Sequence, residues 1–436
     1  MTDDPFHITV FEHDWLRIDK PNYLNRTLPV SCYEALCNFY GENGVIYFNL
    51  IHNGVKFKEY VGVLQIGKFT IEILPKADKS IKRGEEARWQ KVLISMLLKS
   101  GNFPVSAPTY SDLQLKKNNI LELYVNLFLD KVQQLINEGL LKKYKLTEGN
   151  LYVLKGRLLF SKQLQNNLIH AERFFTSYTT YNHNNVYNQI ICQTLKLIPE
   201  ISSTINSSKA RQLLLSFPEL DNLKVTDTLF DKLVIDRKTE RYRPVLMIAK
   251  LLLLNYYPGL STGRNHILAL MFDMNKLWEK YVLKSLKEAS VSHDDMEISG
   301  QEIEEFWDGR TIRPDIIIRT GAKTFIIDTK WKLLKDSDPS IEDVRQMYAY
   351  NHHFNSGCSV LLYPDAYLRN GKYSKYALPN LHTPDCAEHG CGVVFANILN
   401  SENQIELDFG NIILNQILEV NSEEESGNLS YNQKVL

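Results

Sequence analysis

Arg313 to Lys332 reads RPDIIIRTGAKTFIIDTKWK, two apolar runs flanking a short turn that contains Gly321. One run begins at Asp315, the other ends at Asp328, and Lys330 stands two residues further on. If Gly321 and Ala322 form a two-residue turn between antiparallel strands, Thr320 faces Lys323, Ile318 faces Phe325 and Asp315 faces Asp328. Opposed residues project to one face with Cβ atoms roughly 4.5–5.5 Å apart, and the period of two puts Lys330 on that face as well. Carboxylates this close repel unless one holds a proton or both bind a cation. Two hard oxygen ligands beside solvent suit Mg²⁺, and the Thr329 carbonyl could supply a third. Lys330 could then orient or help deprotonate an attacking water and stabilise charge on a phosphate. That chemistry is metal-assisted hydrolysis of a phosphodiester. The plainer reading is an acidic hairpin rim with Lys330 as its ion-pair partner.

Two neighbouring segments bear on the choice. SIEDVRQMYAYNHHF has Ser340 and Asp343 in a capping-box-like spacing after Pro339, which predicts a helix. Gln346 and Tyr350 are four apart and share a face of it. They could contact a DNA backbone or buttress Lys330, or form the polar edge of a packed helix. Upstream, Met274, Leu277, Trp278, Tyr281, Val282 and Ser285 make one face of another helix, with Glu279 at its margin. Glu279 is either a solvated side chain or a further acid near the metal.

Elements must position these groups, and the chain is long enough to supply them. Its 436 residues, 23% of them charged, predict two or three domains with ordinary cores. A formal net charge of −1 gives no whole-protein field for nucleic acid, so a DNA-binding surface has to be local. Six scattered cysteines are no disulfide framework and fit a reducing, cytoplasmic setting. MTDDPFHITV reads as no signal peptide, and VLMIAKLLLLNYYPGL, with Lys250 and Pro258, as a buried helix rather than a membrane span. No phosphate loop is present.

The organisation predicts an α+β multidomain protein: a β-rich N-terminal domain, a helical middle region and a C-terminal α/β domain that carries the paired aspartates. Residues 1–105 look β-rich: GVIYFNLIHNGVKFKEYVGVLQIGKFTIEILPK alternates apolar and polar residues, with turns at His52-Asn53-Gly54 and Gly67, and a basic stretch around Lys79, Lys82 and Arg83 follows that segment. Residues 106–262 are mainly helical, with Gly139 near a helix end, a strand-like piece at LYVLKGRLLF, and LLKKYK as a solvated helix end. Residues 263–420 open, after a loop at Gly259 and Gly263, with ILALMFDMNKLWEKYVLKSLKEA as one amphipathic helix. Residues 421–436 are polar and predicted disordered.

RPDIII…FIIDTKWK resembles the PD-(D/E)xK nuclease core. MNKLWEKYV, QMYAY, YVGVLQIGKFTIEILPK and LYVLKGRLLF narrow the resemblance to McrC, the nuclease subunit of McrBC-type modification-dependent restriction systems, over about residues 40–370. The resemblance implies that Asp315 and Asp328 are metal ligands, Lys330 the catalytic lysine, Glu279 the upstream helix acid, and Gln346 and Tyr350 a supporting element. It implies as partners a hexameric AAA+ GTPase, McrB, which binds the GTP and reads the base, and modified double-stranded DNA. It also implies that the N-terminal region, residues 1–105, docks into the GTPase ring. The chain departs from the family in its acidic tail and in the loop RNGKYSKYALPNLHTPDCAEHGCG, whose His382, Cys386, His389 and Cys391 match no strong zinc spacing. Alternatives to a DNA endonuclease are a non-cleaving scaffold that activates the ring, or a repair or RNA nuclease on the same core.

Overall fold

The structure, a computed structural model, describes residues 6–76, 84–102, 119–258, 266–321, 323–332, 334, 338–365, 369, 371–377, 389–400, 402 and 404–422. The chain divides into two compact units. One is formed by Met1–Gly62, Ile71–Phe103 and Met271–Leu436, the other by Val63–Thr70 and Pro104–Leu270. The expected separation of residues 1–105 from residues 263–420 therefore gives way to a single unit built from both ends of the chain. The expected tail also starts too early, because the helix Phe409–Ser422 runs through residues 421 and 422. The basic stretch at Lys79, Lys82 and Arg83, and the loop at Gly259 and Gly263, lie outside the described residues. No helix among the described residues is long and apolar enough to cross a membrane.

In the first unit the main sheet has six strands, in the order Met296–Gly300, Ile316–Thr320, Lys323–Thr329, Cys358–Asp365, Gly390–Asn397, Lys372–Lys375. The central pairs, Lys323–Thr329 with Cys358–Asp365 and Cys358–Asp365 with Gly390–Asn397, are parallel; the outer pairs are antiparallel. Ile316, Ile317 and Ile318 are fully buried, as are Ile326 and Ile327 across from them. Each such side chain contributes about 1.5–3 kcal/mol, and because neighbouring residues point to opposite faces, both faces of the sheet are buried here. The helix Ile341–His353 lays Met347 and Tyr350 into a core with Ile326, Leu361, Tyr363 and Phe395. The N-terminal part of this unit contains the hairpin Phe48–Ile51/Gly54–Phe57, closed by His52-Asn53 as the sequence predicts, with Asn53 at φ 55°.

The segment ILALMFDMNKLWEKYVLKSLKEA is not one helix. Ile267–Asp273 is a strand and Met274–Ala289 a helix. The break is Asp273, whose carboxylate accepts from the N–H groups of Asn275 and Lys276 and caps the helix. The face Met274, Leu277, Trp278, Tyr281, Val282 and Ser285 is buried as expected.

The second unit is mainly helical. Ile120–Glu138 is capped by Asn119 and stops at Gly139, φ 89°. Val186–Ile201 and Arg243–Leu254 follow the predicted pattern. The sequence reading missed two nine-residue strands, Lys143–Leu151 and Phe174–Asn182, which pair from Lys143↔Asn182 to Leu151↔Phe174. LLKKYK therefore leads into a strand rather than ending a helix. Its alternation was hidden because the apolar members Tyr144 and Leu146 face solvent, where a core-facing pattern would bury them.

Asp273→Ala removes the cap of the helix that carries Glu279. The expected loss is about 1 kcal/mol, with Asp273→Ser retaining most of it. Urea unfolding at fixed pH checks this, and an unchanged midpoint for Asp273→Ala would dismiss the cap.

Candidate active site

The hairpin register is the one the sequence predicts: Thr320↔Lys323, Ile318↔Phe325 and Ile316↔Ile327. Asp315 sits one residue before its strand and Asp328 one before the end of the other. Asp328 is 3% exposed. Its Oδ2 lies 2.7 Å from Lys330 Nζ, an ion pair without an aligned hydrogen bond. Its Oδ1 accepts from Gln346 Nε2 at 3.3 Å. Gln346 bridges the set: its Oε1 accepts from Lys330 Nζ at 3.3 Å, and its Nε2 also lies 2.8 Å from the Tyr350 hydroxyl. That hydroxyl donates to the Arg313 carbonyl at 3.0 Å. Asp315 Oδ2 accepts from the Thr329 N–H at 2.8 Å and the Thr329 hydroxyl at 2.9 Å.

Strand geometry sets the Thr329 carbonyl on the same edge as its N–H, the edge that Asp315 occupies. Glu279 is half-buried and bonded to Gln301 Nε2, near enough to Asp315 for their charges to interact. An open cleft of about 480 Å³ beside Gln346 and Tyr350 is lined by Ile303, Phe306, Thr311, Ile312, Arg313 and Ala349.

The electrostatics follow from burial of like charge. Burial, then the Asp315 charge, pushes Asp328 up to about 6, against the pull of Lys330. Burial raises Asp315 as well, against its bonds from Thr329. Glu279 is raised by burial and by Asp315. For Lys330 burial works against the ammonium, but the charges of Asp328, Asp343 and Asp315 outweigh it and hold the group above its ordinary value. Lys330 is therefore a cation here, which favours charge stabilisation over proton abstraction.

Two residues of this cluster were not assigned to the site from sequence. Asp343 appeared only as a capping position. Ser340 does cap Asp343 N–H, but the Asp343 carboxylate lies 3.7 Å from Lys330 Nζ and 2.5 Å from Lys332 Nζ. Its signal was available, since Asp343, Gln346 and Tyr350 recur at three and four along one helix face. Gln301 gave no signal. It holds a left-handed backbone, φ 56°, donates its N–H to the Asp315 carbonyl at 3.0 Å and its amide to Glu279. A non-glycine residue there is strained by about 1–3 kcal/mol and must be held by its surroundings.

The His389 ring meets those of Tyr348 and Tyr376 at a tilt and that of His352 edge-on, and Cys391 is buried on the adjoining strand. His382 and Cys386 lie outside the described residues. Among the described residues no three His, Cys, Asp or Glu side chains gather closely enough to hold a metal by themselves. The donor set on offer is two carboxylates and a backbone carbonyl, which fits a hard cation that keeps several of its waters.

Known proteins share this arrangement of chain. The profile of the McrBC 5-methylcytosine restriction system component family matches residues 55–364. The chain belongs to this family. It is 25% identical over 231 residues to the type IV methyl-directed restriction enzyme EcoKMcrBC of Escherichia coli (strain K12). That overlap takes in 49% of this chain and 65% of the relative, so less than two thirds of the relative is spanned. A chain from the half-complex of the tetradecameric assembly of Thermococcus gammatolerans McrB AAA+ hexamers with bound McrC superposes with a TM-score of 0.68 and 18% identity, covering 95% of this chain and 100% of that one. A chain of the Thermococcus gammatolerans McrBC complex aligns at 20% identity over 65% of this chain and 88% of that one, with a TM-score of 0.49. The first of these superpositions establishes a shared mixed α/β fold.

Asp328 titrates near 6, above the ordinary 3.8. Its share of stability is thus fully present below 3.8 and is lost as pH rises through about 6. Asp328→Asn should therefore melt no lower than the parent at pH 7.5 without divalent cations. Mg²⁺ at a hundredfold over its Kd should stabilise the parent by about 2.7 kcal/mol and leave the variant unmoved. Thermal melts with and without Mg²⁺ read both effects; equal stabilisation of the two proteins would remove Asp328 from the ligand set.

Proposed function

We propose that this chain is the DNA endonuclease subunit of a modification-dependent restriction complex, cutting phosphodiesters with Mg²⁺ while a ring-forming, McrB-like AAA+ GTPase delivers modified double-stranded DNA. The observation that carries this reading is the single bonded cluster of Asp328, Lys330, Gln346 and Tyr350 beside Asp315. An acidic rim kept for solubility has no need to bury Asp328 or to brace its lysine with a glutamine and a tyrosine.

In this reading Asp315, Asp328 and the Thr329 carbonyl hold the cation. Mg²⁺, when bound, supplies Lewis-acid stabilisation of charge on the phosphate. Lys330 meets that charge from the protein side. Gln346 sets the spacing of Lys330 and Asp328, and Tyr350 fixes Gln346 by tying it to the Arg313 carbonyl. Glu279 is a further acid on the Asp315 side.

The partner assignment rests on the family's description as a component of a 5-methylcytosine restriction system and on the likeness to McrC bound by McrB hexamers. The GTP belongs to that ring. Docking was assigned from sequence to residues 1–105, but exposed apolar side chains favour the second unit. Tyr144, Leu146 and Tyr181, on its paired nine-residue strands, are 77%, 70% and 57% exposed. Apolar surface of this kind marks a site for a protein partner.

Asp328→Ala should lower cleavage of methylated plasmid by at least ~100-fold while still stimulating GTP turnover by the partner. Tyr144→Ser, Leu146→Ser and Tyr181→Ser combined should do the reverse, losing GTPase stimulation with the Mg²⁺ response of the melt intact. Both activities measured on the same two proteins decide the matter. Cleavage by Asp328→Ala at the parental rate refutes the active site, and undiminished GTPase stimulation by the triple variant refutes the docking surface.

Lys330→Arg keeps the charge but replaces a compact ammonium with a broad planar fork in a space bounded by Asp328, Asp343 and Gln346. DNA affinity should stay within about twofold and the cleavage rate fall ~100-fold. A parental rate would reduce Lys330 to a generic surface charge.

A further inference from the structure

The chain leaves the central sheet immediately after Lys330. The Lys330 N–H still donates to the Leu362 carbonyl at 2.9 Å, and residue 331 is already outside the strand. The first side chain anchored beyond the lysine is Trp331, 7% exposed. Its indole N–H donates to Glu12 Oε1 at 2.6 Å. Glu12 lies 319 residues away in sequence, in the same unit, and is 1% exposed. The same Oε1 accepts the Lys76 N–H at 2.7 Å, and the Glu12 N–H donates to the Leu74 carbonyl at 2.9 Å. Glu12 is thus fixed to the N-terminal strands by its own backbone and by Lys76, and reaches out through one oxygen to the residue after Lys330.

Trp331 has a second neighbour. Its ring meets that of Trp278 edge-on, with centroids 5.4 Å apart. Trp278 directly precedes Glu279, so this pair joins the backbone behind two of the residues that the site brings together. A buried acid is an expensive way to fill a core, and an apolar residue would pack without the desolvation cost. Among the described residues Glu12 Oε2 accepts no hydrogen bond, and His13 Nε2 lies 3.9 Å from it. Among the described residues, the one side-chain hydrogen bond the group makes is to Trp331.

We propose that Glu12 is a positioning residue for the nuclease centre: by holding the Trp331 indole it fixes the backbone that carries Lys330 and braces the helix that carries Glu279. This rests on the nuclease reading above. It also gives the N-terminal strands a part in catalysis although they hold none of its acids. Burial pushes the Glu12 carboxyl up to about 7, so a neutral acceptor at this position is close to the natural state and glutamine reproduces it.

The test uses the full chain with its GTPase partner and three variants: Glu12→Ala, Glu12→Gln and Trp331→Phe, the last keeping the ring and removing the donor. Two readouts are taken, the kcat and KM of plasmid cleavage, and the rate at which Lys330 is acylated at pH 7.5, followed by mass spectrometry against the exposed Lys280. Glu12→Ala and Trp331→Phe should each lower kcat tenfold or more with KM within twofold, and raise Lys330 acylation at least threefold relative to Lys280. Glu12→Gln should restore both. If Glu12→Ala fails to fold, Trp331→Phe carries the same comparison. Unchanged Lys330 acylation in a folded variant, or altered acylation with parental kcat, overturns the proposal. If the parent itself does not cut, the nuclease reading falls, and the acylation series alone then decides whether Glu12 positions Lys330.

Discussion

Two carboxylates confined at the end of one hairpin are the constraint on which the rest of the site depends. Left alone, Asp315 and Asp328 would push apart or take up protons. Each is instead compensated by a different means. Asp315 is held by the N–H and hydroxyl of Thr329, and Asp328 by the Lys330 ammonium and the Gln346 amide. The compensation is incomplete, since both acids stay above the ordinary carboxylate range. A site in that condition gains from any cation it admits, so the same repulsion that costs stability favours metal binding.

Rigidity comes from the sheet. Three consecutive isoleucines on one strand and Ile326 and Ile327 on the next lock the register that makes the acids neighbours. The parallel partner Cys358–Asp365 covers the other edge of the lysine-bearing strand. The helix Ile341–His353 supplies Asp343, Gln346 and Tyr350 from one face, with Met347 and Tyr350 seated in the core. Sheet and helix therefore carry the polar groups on the same side chains or neighbours that make the packing, and the site cannot loosen without loss of core contact.

Much of this was legible in sequence because it is local. A two-residue turn and a run of buried isoleucines fix a register within a few residues, so the opposition of Asp315 and Asp328 could be read directly. The helix cap at Ser340 was equally local. What escaped was non-local or solvent-facing. The strands Lys143–Leu151 and Phe174–Asn182 expose the apolar members of their alternation, which defeats the rule that apolar residues mark the core. Gln301 earns its place through a left-handed backbone that no residue type announces. The reach of Glu12 to Trp331 spans 319 positions and has no signature in either segment.

The first unit is discontinuous in sequence, built from residues near both ends of the chain, while most of the second is the continuous stretch Pro104–Leu270. A ribosome makes the chain from the N-terminus, and folding units close as their last segment emerges. The N-terminal strands can pair with one another early, but the contact of Glu12 with Trp331 must wait until the whole helical unit is made, and the loop it closes is long. The lysine, both aspartates and the tryptophan that meets Glu12 are all synthesised after that interval. Any nascent chain interrupted before residue 315 lacks both acids of the candidate site, so the paired carboxylates come together last.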